Sequence, residues 1–272
     1  MPHDISIVIV NYLMKEDIER CLHTLKEDLR GSTLDVKVVV VDNTPQDGCG
    51  LMLKKEYPSA VYLPQPSNLG FGRAINIGIK AAAARYFFVF NPDTRFLPDT
   101  HTMENLHSFM EEHPKIGMIG PKLLNEDGTL QYSCYRFHQF WMPLLRRSSL
   151  GAHRRFRRAV DRFLMKDFDH ASMRPVDWIM GSAMFVRASM MEEVGLMDER
   201  YFMYFEDADW CRRFWAAHFP VYYVPSIVIV HRHGRGSAKE SGLFRSILKN
   251  KLTRTHIKSW LKYMWKWRML KV

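Results

Sequence analysis

Apolar residues come first as a nearly unbroken run, "ISIVIVNY" at 5–12, with no polar face alternating against an apolar one. That pattern fits a strand buried on both faces of a sheet. Behind it, Ile18, Cys21, Leu22 and Leu25 recur at three- and four-residue intervals, the stripe of an amphipathic helix, with Asp17 placed to cap it. "DVKVVVVDN" (35–43) reads as a second buried strand, ending in Asp42, Asn43 and a turn-rich "TPQDGCG". A short third strand, "AVYLPQ", precedes "SNLGFGRAINIGIKAAAA", a glycine-rich loop running into a helix. "RYFFVFNPDTRF" adds a strand that stops at Asn91-Pro92-Asp93. Strands alternating with helices in this order predict an α/β protein with a parallel sheet and right-handed crossovers.

Periodicity fades between about Tyr132 and Arg174, so 132–176 reads as an arginine-rich insertion or lid. "DWIMGSAMFVR" (177–187) resumes as a strand, and 190–219 reads as short helix, loop, helix. "VYYVPSIVIVHRHGRGS" is strand-like with glycines and bases after it, and the last 30 residues carry a helical pattern. The expected organisation is one domain over 1–236 and a basic helical tail over 237–272.

Composition narrows the class. The 272 residues are 47% hydrophobic and 25% charged, an ordinary globular balance. Apolar runs such as "IVIV" and "YFFVF" fall far short of the ~20 residues needed to cross a bilayer, and no signal peptide is expected. Four cysteines without paired spacing argue against a zinc site or a disulfide framework and for a reduced, cytosolic chain. The net charge of +10 is uneven: residues 243–272 hold nine Lys/Arg and no acid, and "RRSSLGAHRRFRR" (146–158) holds six Arg and no acid. Such a surface calls for an anionic partner: nucleic acid, anionic lipid or a phosphorylated substrate.

In parallel α/β sheets a ligand lies beyond the carboxyl ends of the strands. Three polar clusters fall there: Asn11-Tyr12, Asp42-Asn43 and Asn91–Asp93. The loop "NLGFGRA" suits either a tight turn or a phosphate cradle at a helix start, and fits neither the dinucleotide nor the P-loop spacing. Asp93 alone cannot hold Mg²⁺ or Mn²⁺; diphosphate oxygens and a second protein ligand are needed, and His231 ends a later strand from which one could come. His231, Arg232, His233 and Arg235 suit a loop closing over a phosphate. In "YFMYFEDADWCRR", Glu206, Asp207 and Asp209 crowd beside five aromatics. Helix-start decoration and an Asp209–Arg213 pair account for Asp209. For Glu206-Asp207, aromatic desolvation would raise a carboxyl and make it a usable general base.

Taken as an ordered set, "SIVIVNY", "VVVVDN", "SNLGFGRAINIGI", "FNPD", "DWIMGSAMFVR", "GLMDERYFMYFEDADWCRR" and "HRHG" resemble the inverting family 2 glycosyltransferases, and most closely their bacterial rhamnosyltransferase-like branch. The resemblance runs from about Ile5 to Gly236. It implies a GT-A fold, a Rossmann-like, mostly parallel central sheet flanked by helices. It implies further that Val10, Asn11 and Asp42 bind the base and ribose of a nucleotide sugar. Asn68 and the loop Gly70, Phe71, Gly72, Arg73 would lie beside the sugar diphosphate. Asp93 and His231 would hold Mn²⁺ or Mg²⁺, with Asn91 standing where a stricter motif has Asp. Trp178 and Gly181 would meet the acceptor; Asp207 would be the general base, supported by Glu206. The implied reaction moves a sugar, foremost L-rhamnose from dTDP-L-rhamnose, onto a polyprenyl-diphosphate-linked saccharide in surface polysaccharide or O-antigen assembly. A UDP-hexose donor is the alternative within the class, and a basic nucleic-acid-binding α/β protein the alternative outside it.

In the tail, Phe244, Ile247, Leu248, Ile257, Trp260, Leu261, Met264 and Trp267 lie near helical spacing with lysines between. An anionic membrane headgroup region is the first expectation, a helix docked on its own domain the second, RNA the third. The expected location is peripheral, at the cytoplasmic side of a bacterial inner membrane.

Overall fold

The computed structural model describes residues 1–146, 148–232 and 250–268. The first half is β1 (His3–Asn11), α1 (Lys15–Asp28), β2 (Val36–Asp42), α2 (Cys49–Glu56), β3 (Val61–Pro64), α3 (Phe71–Lys80), β4 (Ala84–Phe90), β5 (Thr94–Phe96) and α4 (Thr102–Glu112). Next come β6 (Met118–Leu124), β7 (Leu130–Gln131), β8 (Cys134–Tyr135), α5 (Met142–Arg146), α6 (Arg154–Phe163), β9 (Arg174–Pro175), β10 (Trp178–Ile179) and β11 (Ala183–Arg187). The last are α7 (Ala188–Val194), α8 (Glu206–Ala216), β12 (Val221–His231) and α9 (Lys251–Lys266).

The main sheet runs β3-β2-β1-β4-β11-β6-β12-β5, with β7 added beside β6 and β9 beside β12. β3, β2, β1 and β4 are all parallel, β12 is parallel to β6, and β11 runs antiparallel between β4 and β6. The near-continuous apolar strands have the expected cause. Along β1, Ile5, Ile7 and Ile9 face one layer with Ile18, Cys21, Leu22 and Leu25 of α1, while Val8 and Val10 face the other with Ala74, Ile75 and Ile79 of α3. Each buried Ile, Leu or Val among them is worth about 1.5–3 kcal/mol. α3 lies close on the sheet because Gly78 has no side chain; a Cβ there would stand 2.3 Å from Val8 Cγ1.

The structure revises four expectations. α1 begins at Lys15, so Asp17 sits inside its first turn rather than capping it. "DWIMGSAMFVR" is two strands, not one: β10 pairs β8 in a small separate sheet, and the chain turns at Gly181 before β11 joins the main sheet. Residues 132–176 are woven into the domain, with Met142, Phe163 and Met165 buried in the main core. The described part of the tail, 250–268, packs on the domain too; 237–249 and 269–272 lie outside the described residues. Trp260, Tyr263 and Trp267 of α9 and the residue after it belong to that core, because the helix's aromatic stripe finds an apolar surface on the 198–213 segment. Among the described residues no helix is long and apolar enough to cross a membrane.

Candidate active site

Strand β1 ends at Asn11 and β2 at Asp42, side by side in the parallel register and both fully buried. The Asn11 amide donates to Asp42 Oδ1 (2.8 Å) and to Asp47 Oδ2 (2.8 Å). Asp42 Oδ1 also accepts from the Thr44 N–H at 2.8 Å, and its Oδ2 from the Tyr62 hydroxyl at 2.8 Å. Asp42, Asp47 and Cys49 approach closely enough for a metal ion. Yet Asn11, Thr44 and Tyr62 already donate to the two carboxylates, and burial pushes the Cys49 thiol up to about 12. The cluster is therefore a hydrogen-bonded cradle at the sheet edge. Val10, just before it, is 8% exposed.

The second strand-end group suits a hard cation better. His231 Nε2 lies 3.3 Å from Asp93 Oδ1, with both residues largely buried. His231 Nδ1 is 2.6 Å from Gln131 Oε1, and Gln131 is oriented by its amide's bonds to Asn125 Oδ1 and to the His231 carbonyl. An amide oxygen only accepts, so Nδ1 carries the hydrogen and Nε2 turns toward the carboxylate. Nε2 and the Asp93 carboxylate together offer one nitrogen and one oxygen ligand to a hard cation. The outer hydrogen bond that fixes the tautomer is the arrangement metal-ligating histidines share. Arg232, beside it, donates its backbone N–H to the Asp93 carbonyl and binds Asp17 of α1 through its guanidinium at 2.5 Å. His233 and Arg235 lie outside the described residues.

The opposing wall is the start of α8. Glu206 and Asp207 are its first two residues, entered through Tyr204 and Phe205, which both hold left-handed backbone conformations (φ 70° and 72°). For non-glycine residues that is costly and survives only when the surroundings enforce it. Here they do. The Phe205 ring packs on His138, His256 and Tyr263, and the Tyr204 ring on His256. Ser259 of α9 donates to the Met203 carbonyl at 2.8 Å. One turn on, Asp209, fully buried, receives Arg213 Nε at 3.0 Å, Lys266 Nζ at 2.8 Å and Trp267 Nε1 at 2.8 Å. Asp209 is thus an internal anchor for α9 rather than half of a surface pair.

The two acids of the pair are treated unequally. Asp207 Oδ2 accepts from the Gly181 N–H (3.0 Å) and Oδ1 from the Ala208 N–H (2.8 Å). Glu206 is 5% exposed, and its Oε2 finds no partner among the described residues. Burial raises both carboxyls. It drives Glu206 up to about 8 with help from the charge of Asp207, whereas the N–H donors of Ala208 and Gly181 hold Asp207 back. Of the two, Glu206 is the one burial keeps protonated more strongly, and the donors on Asp207 favour its ionised form over that of its neighbour.

The glycine-rich loop braces this wall. Gly70 has φ +83°, and a Cβ on it would stand 2.1 Å from the Phe202 carbonyl oxygen. The Phe71 N–H donates to that same oxygen at 2.9 Å. The Gly70 N–H goes to Asn68 Oδ1 and the Leu69 N–H to Asn43 Oδ1. Three of the loop's amides, those of Leu69, Gly70 and Phe71, are therefore bonded within the protein. Gly72 passes under Glu206 Cβ, and Gly181 under Phe71 and Asp207. Among the described residues Arg73 reaches Glu199 (3.2 Å), a half-exposed pair worth little. Trp178 is 7% exposed, stacked on Tyr135 and bonded to the Arg136 carbonyl, so its ring supports the 178–181 turn from behind.

One connection joins the two walls. Gly181 holds Asp207 through its N–H, and the next residue, Ser182, holds Asn91 through its carbonyl, which accepts from the Asn91 N–H at 2.9 Å. The base candidate and the Asp93 strand end are thus fixed to adjacent residues of one turn. Sequence reading missed Ser182, Gln131 and Phe202. Asn43 was visible in "VVVVDN"; Gln131 and Phe202 act through contacts that no local pattern announces.

Residues 6–176 match the sequence profile of "Glycosyl transferase family 2". The chain belongs to the family 2 glycosyltransferases. It is 30% identical over 252 residues to the N-acetylglucosaminyl-diphospho-decaprenol L-rhamnosyltransferase of Mycobacterium tuberculosis, covering 87% of this chain and 78% of the relative. Against rhamnosyltransferase WbbL of Escherichia coli K12 it is 37% identical over 95 residues, 35% of this chain and 33% of that one. These relatives set it in the rhamnosyltransferase branch. The fold is shared with the mannosyltransferase PcManGT from Pyrobaculum calidifontis, solved with GDP-Man and Mn²⁺ (TM-score 0.57, 14% identity, 97% of this chain and 70% of that one). It is shared too with GalNAc-T7, solved with UDP, GalNAc and Mn²⁺ (TM-score 0.60, 13% identity, 91% and 48%).

Proposed function

We propose that this glycosyltransferase transfers L-rhamnose from dTDP-L-rhamnose, with inversion, to a hydroxyl of an N-acetylglucosamine carried on a polyprenyl diphosphate. The setting would be the assembly of a bacterial surface polysaccharide such as O-antigen, at the cytoplasmic face of an anionic inner membrane. The observation that carries the reading is the turn at Gly181-Ser182, which binds the Asp207 carboxyl to the Asp93 strand end. Inverting displacement needs a base on one side of the anomeric carbon and a stabilised diphosphate on the other. Asp207, whose ionised form two N–H groups favour, accepts the acceptor hydroxyl's proton. Glu206, neutral beside it, spares it a second charge. Val10, Asn11 and Asp42 form the edge for base and ribose, with Asn68, Gly70–Arg73 and Asn91 beside the sugar diphosphate and Gly181 on the acceptor side. Asp93 and His231 would hold Mn²⁺ or Mg²⁺, which when bound neutralises charge on the diphosphate. The likeness to the mycobacterial enzyme supports the donor sugar and the acceptor class.

The test is nucleoside diphosphate release from a panel of sugar nucleotides with Mn²⁺ or Mg²⁺ and synthetic lipid-linked N-acetylglucosamine. Turnover with dTDP-L-rhamnose, lost by about 10²–10⁴ in Asp207→Asn while nucleotide binding survives, is the expected result. Turnover with a UDP-hexose instead would discard rhamnose and keep the mechanism. Normal turnover in Asp207→Asn would discard the base.

A further inference from the structure

The aromatic stripe of α9 is spent inside the domain, and what the helix leaves outside is a different face. Leu261 (51% exposed) and Trp265 (69%) stand one turn apart, with Lys258, Lys262 and Arg268 exposed around them. Phe140 (46% exposed) lays its ring on Trp260 of α9 and on Trp141 (65% exposed), each at 5.0 Å between centroids. Trp141 leads into α5, and α5 packs on α6, whose Arg154, Arg155, Arg157, Arg158 and Arg162 are all exposed. A run of large apolar side chains thus lies open to water between two helices rich in bases.

We propose that this composite face, Phe140, Trp141, Leu261 and Trp265 framed by the bases of α6 and α9, is the surface by which the protein lies on an anionic lipid bilayer. Indole rings settle at headgroup depth, and bases close to the surface gather anionic lipid. Single-stranded nucleic acid would need open ring faces for its bases to stack on. Here the Arg268 guanidinium covers the Trp265 ring at 3.7 Å, and Phe140 is already packed between Trp141 and Trp260. Edges and tips remain, and these suit lipid. The face also adjoins the acceptor side of the site: His138, two residues before Phe140, packs on Phe205 at the start of α8 (4.6 Å). For its purpose the proposal rests on the lipid-linked acceptor; the binding itself does not.

Flotation with phosphatidylcholine vesicles, with and without phosphatidylglycerol and with no sugar substrate present, tests it. Wild type is expected to float with the anionic vesicles, and less so in high salt. Phe140→Ser/Trp141→Ser/Trp265→Ser should lose partitioning about tenfold or more, with nucleotide-sugar binding and melting temperature kept. Arg155→Glu/Arg158→Glu should weaken it mainly at low salt. Flotation of the triple variant equal to wild type, or binding of single-stranded RNA in place of vesicles, would overturn the assignment. In transfer assays the triple variant should keep turnover on a water-soluble acceptor and lose it on acceptor embedded in vesicles. Vesicle binding without any sugar transfer would sink the proposed reaction and leave this face standing.

Discussion

Replacing Glu206 by Gln should make the protein more stable, by an amount that grows with pH. Glu206 is buried, its Oε2 is unpaired among the described residues, and the Asp207 carboxyl beside it adds to the rise that burial causes. The fold tolerates the protonated form, so stability is fullest below the ordinary midpoint of 4.5 and is lost as pH rises through about 8. At about 1.4 kcal/mol per tenfold, full ionisation against that rise costs about 4–5 kcal/mol; sharing one proton with Asp207 reduces it to about 2–4 kcal/mol. Gln presents the neutral form at every pH. For a chain of this size the gain corresponds to about 4–8 °C in melting temperature.

Differential scanning calorimetry of wild type and Glu206→Gln between pH 4.5 and 9 measures it. The two curves should nearly coincide at pH 4.5, separate through the interval up to about 8, and run parallel above it. A gap that is absent, or largest at low pH, would refute the reasoning and show Glu206 to be ionised and paired. Transfer should survive in Glu206→Gln far better than in Asp207→Asn, because the neutral partner is the form the site uses.

Gly70→Ala should cost at least about 2 kcal/mol, since φ +83° and a Cβ at 2.1 Å from the Phe202 carbonyl force the loop off the base-bearing segment; urea unfolding reads the loss, and turnover should fall with it. Trp267→Phe keeps the ring but removes the 2.8 Å bond to buried Asp209, an expected loss of about 1.5–3 kcal/mol in the same assay. Asp93→Asn should raise the Mn²⁺ or Mg²⁺ concentration needed for half-maximal turnover, and unchanged metal dependence would remove Asp93 from the metal site.

The sheet's first half was legible because its causes are local: two-sided apolar strands and a 3.6-residue stripe can each be read within ten residues. The polar strand ends were legible for the same reason, since Asn11, Asp42 and Asp93 stop strands that the topology aligns. What a window of sequence does not carry is the identity of the surface that an apolar face will meet. The stripe Trp260, Tyr263 and Trp267 reads equally as a membrane-seeking face and as a core face; the choice falls to Asp209, fifty residues upstream in the chain. Once buried, that carboxylate must be paired, and Arg213 alone leaves Oδ1 to be met by Lys266 and Trp267. The helix therefore docks, the strained turn at Tyr204-Phe205 is held shut, and Asp207 is presented to the Gly181 N–H. The same docking turns Leu261 and Trp265 outward, so the expectation of lipid moves from the helix's richest apolar face to its second one.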